Sequence, residues 1–460
     1  MKLNFNVKTL VKANIFAIII LCLVLCTNYK FGNANAGIEI NPTVVTEAEG
    51  NDIAPEILYL KVWELIRKDY VDQTFNGQDW NIWKERYAGK LKTLEDAHKA
   101  IQTMLTSLGD RYTRFLSKKD FEDEKQAINA KLTGIGIQIG LDKSQRLIVI
   151  APIDSTPAYK AGLMPGDEIT EINNDSTKGI SVEEAATQIK GPIGTDVTLT
   201  IARGKETFKK TITRAEIPIK AIAKGHAKYI KNNLAYIRLN SFISQDATKE
   251  MKDAMKQLSK AQGYIIDLRD NPGGLLTNSI EISDMFLDAG IIVSTVDRDG
   301  YIQSVVADEK VVSDKPIVIL ANENSASASE IFSGALKDNQ RAKIVGSKTF
   351  GKGLVQGINK LDDGSGVNIT IAKYLTPAKV DINQLGIKPD IEVKLTIDDY
   401  KASKGPWFSD PNNLPSKRKP DDGKDLQLVK GIETLKEMIK VANNNHEQKI
   451  KTAEKAKASL

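Results

Sequence analysis

Five polar side chains in one stretch have the types and spacing for nucleophilic chemistry: Ser325, Ser327, Ser329, Lys352 and Gln356. The serines lie in Ser325-Ala-Ser-Ala-Ser329, between the apolar run Ile317-Val-Ile-Leu320 and a helix-prone segment, 330–336. A hydroxyl at such a strand-to-helix turn sits beside the free N–H groups and positive dipole end of the helix, where a developing oxyanion is stabilised. It still needs a base. The chain has three histidines, His98, His226 and His446, and none lies in a motif, so each reads as structural or solvated. A lysine serves instead if burial or neighbouring charge keeps its amine neutral. Lys352 lies between Gly351 and Gly353 and among Phe350, Leu354 and Val355, an apolar setting that disfavours its charge. Gln356, four residues further on, can orient the amine by hydrogen bonding without adding charge. Residue chemistry leaves the three serines equivalent at this point.

Rival chemistries fall away on single residues. The segment 346–353, Gly-Ser-Lys-Thr-Phe-Gly-Lys-Gly, follows the phosphate-binding pattern GxxxxGK but carries glycine where Ser or Thr must hold magnesium. A strand-like run, 354–358, also stands where the helix should follow. Gly134-Ile-Gly-Ile-Gln-Ile-Gly140 misses the dinucleotide spacing GxGxxG by one position and leads into a strand. No histidine pair or His-x-x-Glu spacing suggests a metal, so neither metal nor cofactor is expected. The net charge of +5 brings no basic stripe interleaved with aromatics, and nucleic acid is not an expected partner.

The length of 460 residues calls for several domains, with 41% hydrophobic and 27% charged residues as in globular chains. Residues 1–36 read as a secretory signal: Lys2, Lys8 and Lys12, then the apolar run 15–26, then Asn33-Ala-Asn-Ala36 before a cut. The alternatives are an uncleaved anchor, the only membrane contact expected, and, less favoured, a lipoprotein cut before Cys26, where Leu25 is bulky. Both cysteines, Cys22 and Cys26, lie in this run, so the mature chain has no thiol chemistry. Export follows, to a periplasm, a thylakoid lumen or the outer face of a cytoplasmic membrane.

Residues 37–54 read as a linker and 55–128 as a helical region whose aromatic stripe (Trp63, Trp80, Trp83) is core. The hydrophobic period changes to two at Gly134 and a β-rich unit spans 129–216, with one amphipathic helix at 182–189. The N–H groups of its Gly134-Ile135-Gly136-Ile137 loop can hold a terminal carboxylate while the edge strand accepts a peptide. From 217 to 398 strands alternate with helices, a layered α/β core with some parallel pairing. Both Asn271-Pro-Gly-Gly274 and the serine run fall at carboxyl ends of strands, where such cores place their sites. Residues 399–460 read as a charged, loosely packed tail with one helix at 426–441.

In order, these pieces resemble the carboxyl-terminal processing, or tail-specific, proteases. The resemblance runs from about Leu58 to Lys394 and rests on Leu108-Gly-Asp-Arg-Tyr-Thr-Arg-Phe-Leu116, Gly134-Ile-Gly-Ile137, Leu268-Arg-Asp-Asn-Pro-Gly-Gly274, Ser325-Ala-Ser-Ala-Ser-Glu330, Thr349-Phe-Gly-Lys-Gly-Leu-Val-Gln356, Tyr374-Leu-Thr-Pro377 and Gly386-Ile-Lys-Pro-Asp390. It implies an α+β multidomain protein: a helical N-terminal region, a β-rich PDZ domain and a layered α/β peptidase core of the crotonase-like tail-specific protease type. It implies Ser327 as nucleophile, Lys352 as general base and Gln356 as support. The oxyanion donors would be the N–H groups of Gly273 or its neighbour and of Ala328. The PDZ loop 134–137 would bind apolar C-termini of protein or peptide substrates. Lys190 is the nearest counterpart of a basic residue that couples binding to activation in some relatives. Arg111 stands where relatives often carry proline. A homo-oligomer or an adaptor is left open as a partner, and a catalytically silent PDZ adaptor is the alternative function.

Overall fold

Ile317–Ala321 is buried along its whole length, as a central parallel strand covered on both faces must be. In the computed structural model, which describes residues 53–128, 131–142, 144–153, 156–164, 166–308, 310–408 and 418–458, this strand lies inside a six-stranded sheet. The order is Ala227–Ile230, Leu234–Arg238, Tyr264–Asp267, Ile317–Ala321, Ala342–Gly346 and Ile391–Glu392. The first pair is antiparallel and the others are parallel. Alternate side chains divide the sheet between two cores. Ile237, Ile266, Ile319 and Ile344 face the helices Ala247–Gln257, Leu276–Asp284 and Ala328–Asp338. Tyr236, Ile265, Val318, Leu320 and Val345 face Trp407 and the helix Leu426–Ala458. The tail is therefore not loosely packed where it is described: Trp407, Leu428 and Leu435 close one face of the sheet. The helix is also longer than the 426–441 expected.

A second sheet is antiparallel, in the order Arg114–Leu116, Gly366–Leu375, Ile291–Asp297 and Ile302–Val306, with Leu354–Lys360 also paired to Gly366–Leu375. The helices Pro55–Asp69, Asn81–Arg86 and Leu94–Thr106 pack their aromatic stripe on it, in one cluster with Leu361, Val367 and Ile369. The region expected to be helical thus also supplies a strand, Arg114–Leu116. Its apolar residues are too few for the period to show.

The β-rich unit has the strand order Ile137–Leu141, Leu147–Pro152, Glu168–Ile172, Asp196–Arg203 and Glu206–Thr213, with helices Pro157–Lys160 and Val182–Ile189. The chain enters it along Lys131–Gly134 and leaves along Ala215–Pro218, and these two strands pair antiparallel as a stalk. Buried Arg214 ties the stalk to the unit by donating to the carbonyls of Gln188 and Ile189. The signal-peptide expectation falls on residues outside those described. Among the described residues no helix is long and apolar enough to cross a membrane.

Candidate active site

The loops at the carboxyl ends of three adjacent parallel strands converge: 268–274 after Tyr264–Asp267, 322–327 after Ile317–Ala321, and 347–353 after Ala342–Gly346. Bonds between these loops give the three serines different fates. Ser325 Oγ donates to the Leu268 carbonyl (2.8 Å), and Ser329 Oγ to the Asn271 carbonyl (2.9 Å). The hydroxyl of Ser327, fully buried, makes no hydrogen bond among the described residues. Ser327 is also the N-cap of the helix Ala328–Asp338, at φ 56° and ψ −116°. A non-glycine residue in the left-handed region stores about 1–3 kcal/mol and persists only where its surroundings hold it.

Glycine lets the 268–274 loop reach Ser327. A Cβ on Gly273, at φ 101°, would stand 2.6 Å from the Ala326 carbonyl oxygen and 3.0 Å from Ser327 Cβ. The Gly273 N–H, however, donates to Asn271 Oδ1 (2.9 Å). Among the described residues the N–H groups of Ala328 and of the neighbouring Gly274 have no acceptor. The two unengaged donors are therefore Ala328 and Gly274, and Gly273 itself shapes the loop.

The loops are locked by a residue that sequence reasoning missed. Glu330 is fully buried, and its Oε2 accepts the N–H groups of Ser327 (2.9 Å) and Lys352 (2.8 Å). Its Oε1 accepts Gly351 N–H (2.7 Å) and Thr349 Oγ1 (2.5 Å). One carboxylate thus spans the turn that carries Ser327 and the loop that carries Lys352. Burial pushes the Glu330 carboxyl above its ordinary range, against the pull of these donors. The Ser327-x-x-Glu330 spacing of a capping box was the available signal.

Lys352 is 3% exposed, and its Nζ stands 5.0 Å from the centre of the Tyr112 ring. No hydrogen bond joins it to Ser327 Oγ, because that oxygen has none. The Gln356 amide, expected to orient the amine, is buried with neither polar atom bonded among the described residues. So the structure brings Ser327, Gly273 and Ala328 together and ties the Lys352 backbone to them. The lysine amine and the Gln356 amide are nevertheless held in another arrangement than a closed Ser–Lys–Gln relay. The P-loop alternative also meets its end here, since the strand Leu354–Lys360 follows.

In the β-rich unit, Ile137–Leu141 is an edge strand beside the helix Val182–Ile189. Ile135 is buried, while the Ile135 carbonyl accepts Ala158 N–H and the Gly136 carbonyl accepts Ile153 N–H. Gly136, at φ 79°, lies against Thr156, where any Cβ would stand 2.4 Å from the threonine's own. Lys190 caps the end of the helix Val182–Ile189, and its Cγ lies 4.0 Å from where a Cβ on Gly134 would sit. The loop 134–137 and Lys190 therefore flank one end of a strand–helix groove.

Comparison with known proteins matches residues 233–393 to peptidase family S41 and residues 124–202 to the PDZ domain. Over 340 residues the chain is 41% identical to a carboxyl-terminal-processing protease of a Synechocystis species, covering 72% of this chain and 79% of the relative. The chain belongs to the carboxyl-terminal-processing proteases. It is 35% identical over 350 residues to the chloroplastic carboxyl-terminal-processing peptidase 2 of Arabidopsis thaliana, covering 73% of this chain and 68% of that one. A solved photosystem II D1 C-terminal processing protease is 33% identical, with a TM-score of 0.53 over 74% of this chain and 94% of the other. As a serine peptidase of this family, the chain combines the α/β core of the S41 model with a PDZ domain on the paired stalk strands.

Proposed function

We propose that this chain is an exported serine endopeptidase that captures protein C-termini in its PDZ groove and cleaves near them with Ser327 and Lys352. The observation that carries the reading is the state of the three serines. Ser325 and Ser329 are committed to loop carbonyls, whereas Ser327 presents an unbonded hydroxyl from a strained turn beside the free Ala328 and Gly274 N–H groups.

In the reaction, the neutral Lys352 amine takes the proton of Ser327 Oγ as that oxygen adds to the scissile carbonyl carbon. The N–H groups of Ala328 and Gly274 receive the oxyanion. When the C–N bond breaks, the Lys352 ammonium returns a proton to the leaving amine. Water then enters by the same route and releases the acyl group from Ser327. For this the lysine side chain must leave the Tyr112 ring and turn to Ser327. Gln356, with both amide atoms unbonded, is placed to receive it by hydrogen bonding. In the PDZ domain the N–H groups of the 134–137 loop take the substrate carboxylate, the edge strand Ile137–Leu141 takes its backbone, and Lys190 adds charge at the groove's end. The cyanobacterial and chloroplastic relatives fit a lumenal or periplasmic address.

The second reading, a silent PDZ adaptor, draws on the separation of the Lys352 amine from Ser327. Casein and a peptide with an apolar free C-terminus decide between them. Wild type, Ser325→Ala and Ser329→Ala cleave and Ser327→Ala does not, and amidating the peptide's C-terminus slows cleavage. Activity in Ser327→Ala equal to wild type would overturn the assignment, and peptide binding without cleavage by wild type would favour the adaptor.

A further inference from the structure

Glu124, on the helix Lys118–Ile128, is 4% exposed, although glutamate is almost never buried unless it is paired. It reaches the strand Gly366–Leu375, where Asn368 Nδ2 donates to its Oε1 (2.5 Å), and Arg114 Nη2 donates to its Oε2 (2.7 Å). In the neighbouring strand Gln356 is registered with Thr370 and Ile358 with Asn368, so Gln356, Asn368 and Thr370 project from one face of the sheet. Asp110 Oδ2 joins that face by accepting from Thr370 Oγ1 (2.6 Å), and Tyr112, two residues on, carries the Lys352 amine over its ring. The Gln356 amide and Asn368 Oδ1 are buried there without hydrogen-bond partners among the described residues. The candidate base is thus withdrawn into a buried polar chamber that contains a carboxylate from the helix leading towards the PDZ stalk.

We propose that Glu124 is a positioning residue for the general base: its charge holds the Lys352 ammonium in this chamber and sets the pH at which the amine is released to Ser327. The proposal rests on the Ser327–Lys352 reading. Burial pushes the Glu124 carboxyl above its ordinary range, against the pull of Asn368, Arg114 and Lys352, and the attraction between Glu124 and Lys352 is mutual. The other charged or titratable groups around the amine are Tyr112, Asp110 and Glu330, whose carboxylate accepts the Lys352 N–H, together with Arg111 and Arg114. The arginines oppose the ammonium: Arg111 lies over the Tyr112 and Phe350 rings and Arg114 on Glu124 itself. Asp110 and Glu330 are held by hydrogen-bond donors of the loops. Once Lys352 loses its proton to solvent, its attraction to the Glu124 charge is gone and the neutral amine can accept the Ser327 proton. The chain runs from this helix into the stalk strand Lys131–Gly134, so the same charge is carried by the segment that joins core to PDZ domain.

The test is kcat/KM against pH for the full mature chain on a fluorogenic peptide. Wild-type activity rises with pH, and Glu124→Gln moves the midpoint of that rise down by about one to two pH units while the alkaline plateau stays within about threefold. Glu124→Asp, which keeps the charge but draws it back, moves the midpoint in the same direction by less and decides the matter if Glu124→Gln does not fold. A midpoint unmoved in the folded variant, with only the melting temperature lowered, overturns the proposal and leaves Glu124 structural. Lys352→Met keeps the two readings apart. If it retains Ser327-dependent activity the dyad itself is wrong, whereas an inactive Lys352→Met beside an unmoved Glu124→Gln midpoint removes only Glu124's role.

Discussion

Replacing Glu330 by glutamine separates stability from activity. The carboxylate accepts four donors, two on each oxygen: Thr349 Oγ1 and Gly351 N–H on one, Ser327 N–H and Lys352 N–H on the other. A glutamine offers one carbonyl oxygen and one NH2 group. Whichever way it turns, two donors face an NH2. Leaving two buried donors unmatched costs about 2–6 kcal/mol in all. Against this, a neutral amide escapes the several kcal/mol of desolvation that an ionised carboxylate bears in a fully buried site. The two effects oppose each other and are of similar size, so the net change in stability is small, within about 2 kcal/mol. Activity has no such offset. Turned one way the amide opposes the Ser327 and Lys352 N–H groups together, and turned the other way it opposes Thr349 and Gly351 beside Lys352. A displacement of about 1 Å in a catalytic group costs about 100-fold in rate. Glu330→Gln is therefore expected to melt within a few degrees of wild type, bind peptide with nearly unchanged KM and lose about two orders of magnitude in kcat. Thermal denaturation and steady-state kinetics on one peptide read all three. A folded Glu330→Gln enzyme with kcat within threefold of wild type would refute the idea that this carboxylate aligns the two loops.

Two other outcomes follow from buried groups outside the site. Burial beside Trp407 and the positive charge of Arg238 push His226 down to about 4 from its ordinary 6.5, so the folded state binds fewer protons. Stability is complete above pH 6.5 and is lost as pH falls towards 4, by about 3 kcal/mol in total, and His226→Gln flattens that slope in melts recorded from pH 7 to 4. Asp425 pairs with fully buried Arg269 through both carboxylate oxygens (2.8 and 2.9 Å) and also accepts the N–H groups of Trp407 and Leu428. Asp425→Asn weakens the buried cluster of Asp267, Arg269 and Asp425 and costs about 3–5 kcal/mol, read as a lower denaturation midpoint and earlier proteolysis of the C-terminal helix.

Much of the architecture was legible because it is written in local periods. The change from helical spacing to period two at Gly134 marks a β-rich unit, and fully apolar runs such as Ile317-Val-Ile-Leu320 mark buried parallel strands. Segments whose burial comes from distant partners carried no such signal. Arg114–Leu116 is a strand because Gly366–Leu375 offers it an edge. The polar helix Lys118–Ile128 gives no sign in its own sequence that Asn368 and Arg114 surround Glu124. The tail reads as a charge run because Asp425 has meaning only opposite Arg269.

By itself the sequence determined the chemistry on offer: no cysteine after Cys26, histidines outside any motif, a serine run at the carboxyl end of a strand, and a lysine between glycines on the next loop. These are properties of residue type and short spacing. Which hydroxyl is free was decided only by tertiary structure. Ser325 and Ser329 become hydrogen-bond donors when the 268–274 loop arrives with the Leu268 and Asn271 carbonyls. The same holds for the proposed base, Lys352. Its flanking glycines could be read in one dimension, but the Glu330 carboxylate that holds its backbone, the Tyr112 ring under its amine and the Glu124 charge in its chamber come from separate parts of the chain. A buried charge has the partners that folding brings to it, and no local pattern records them.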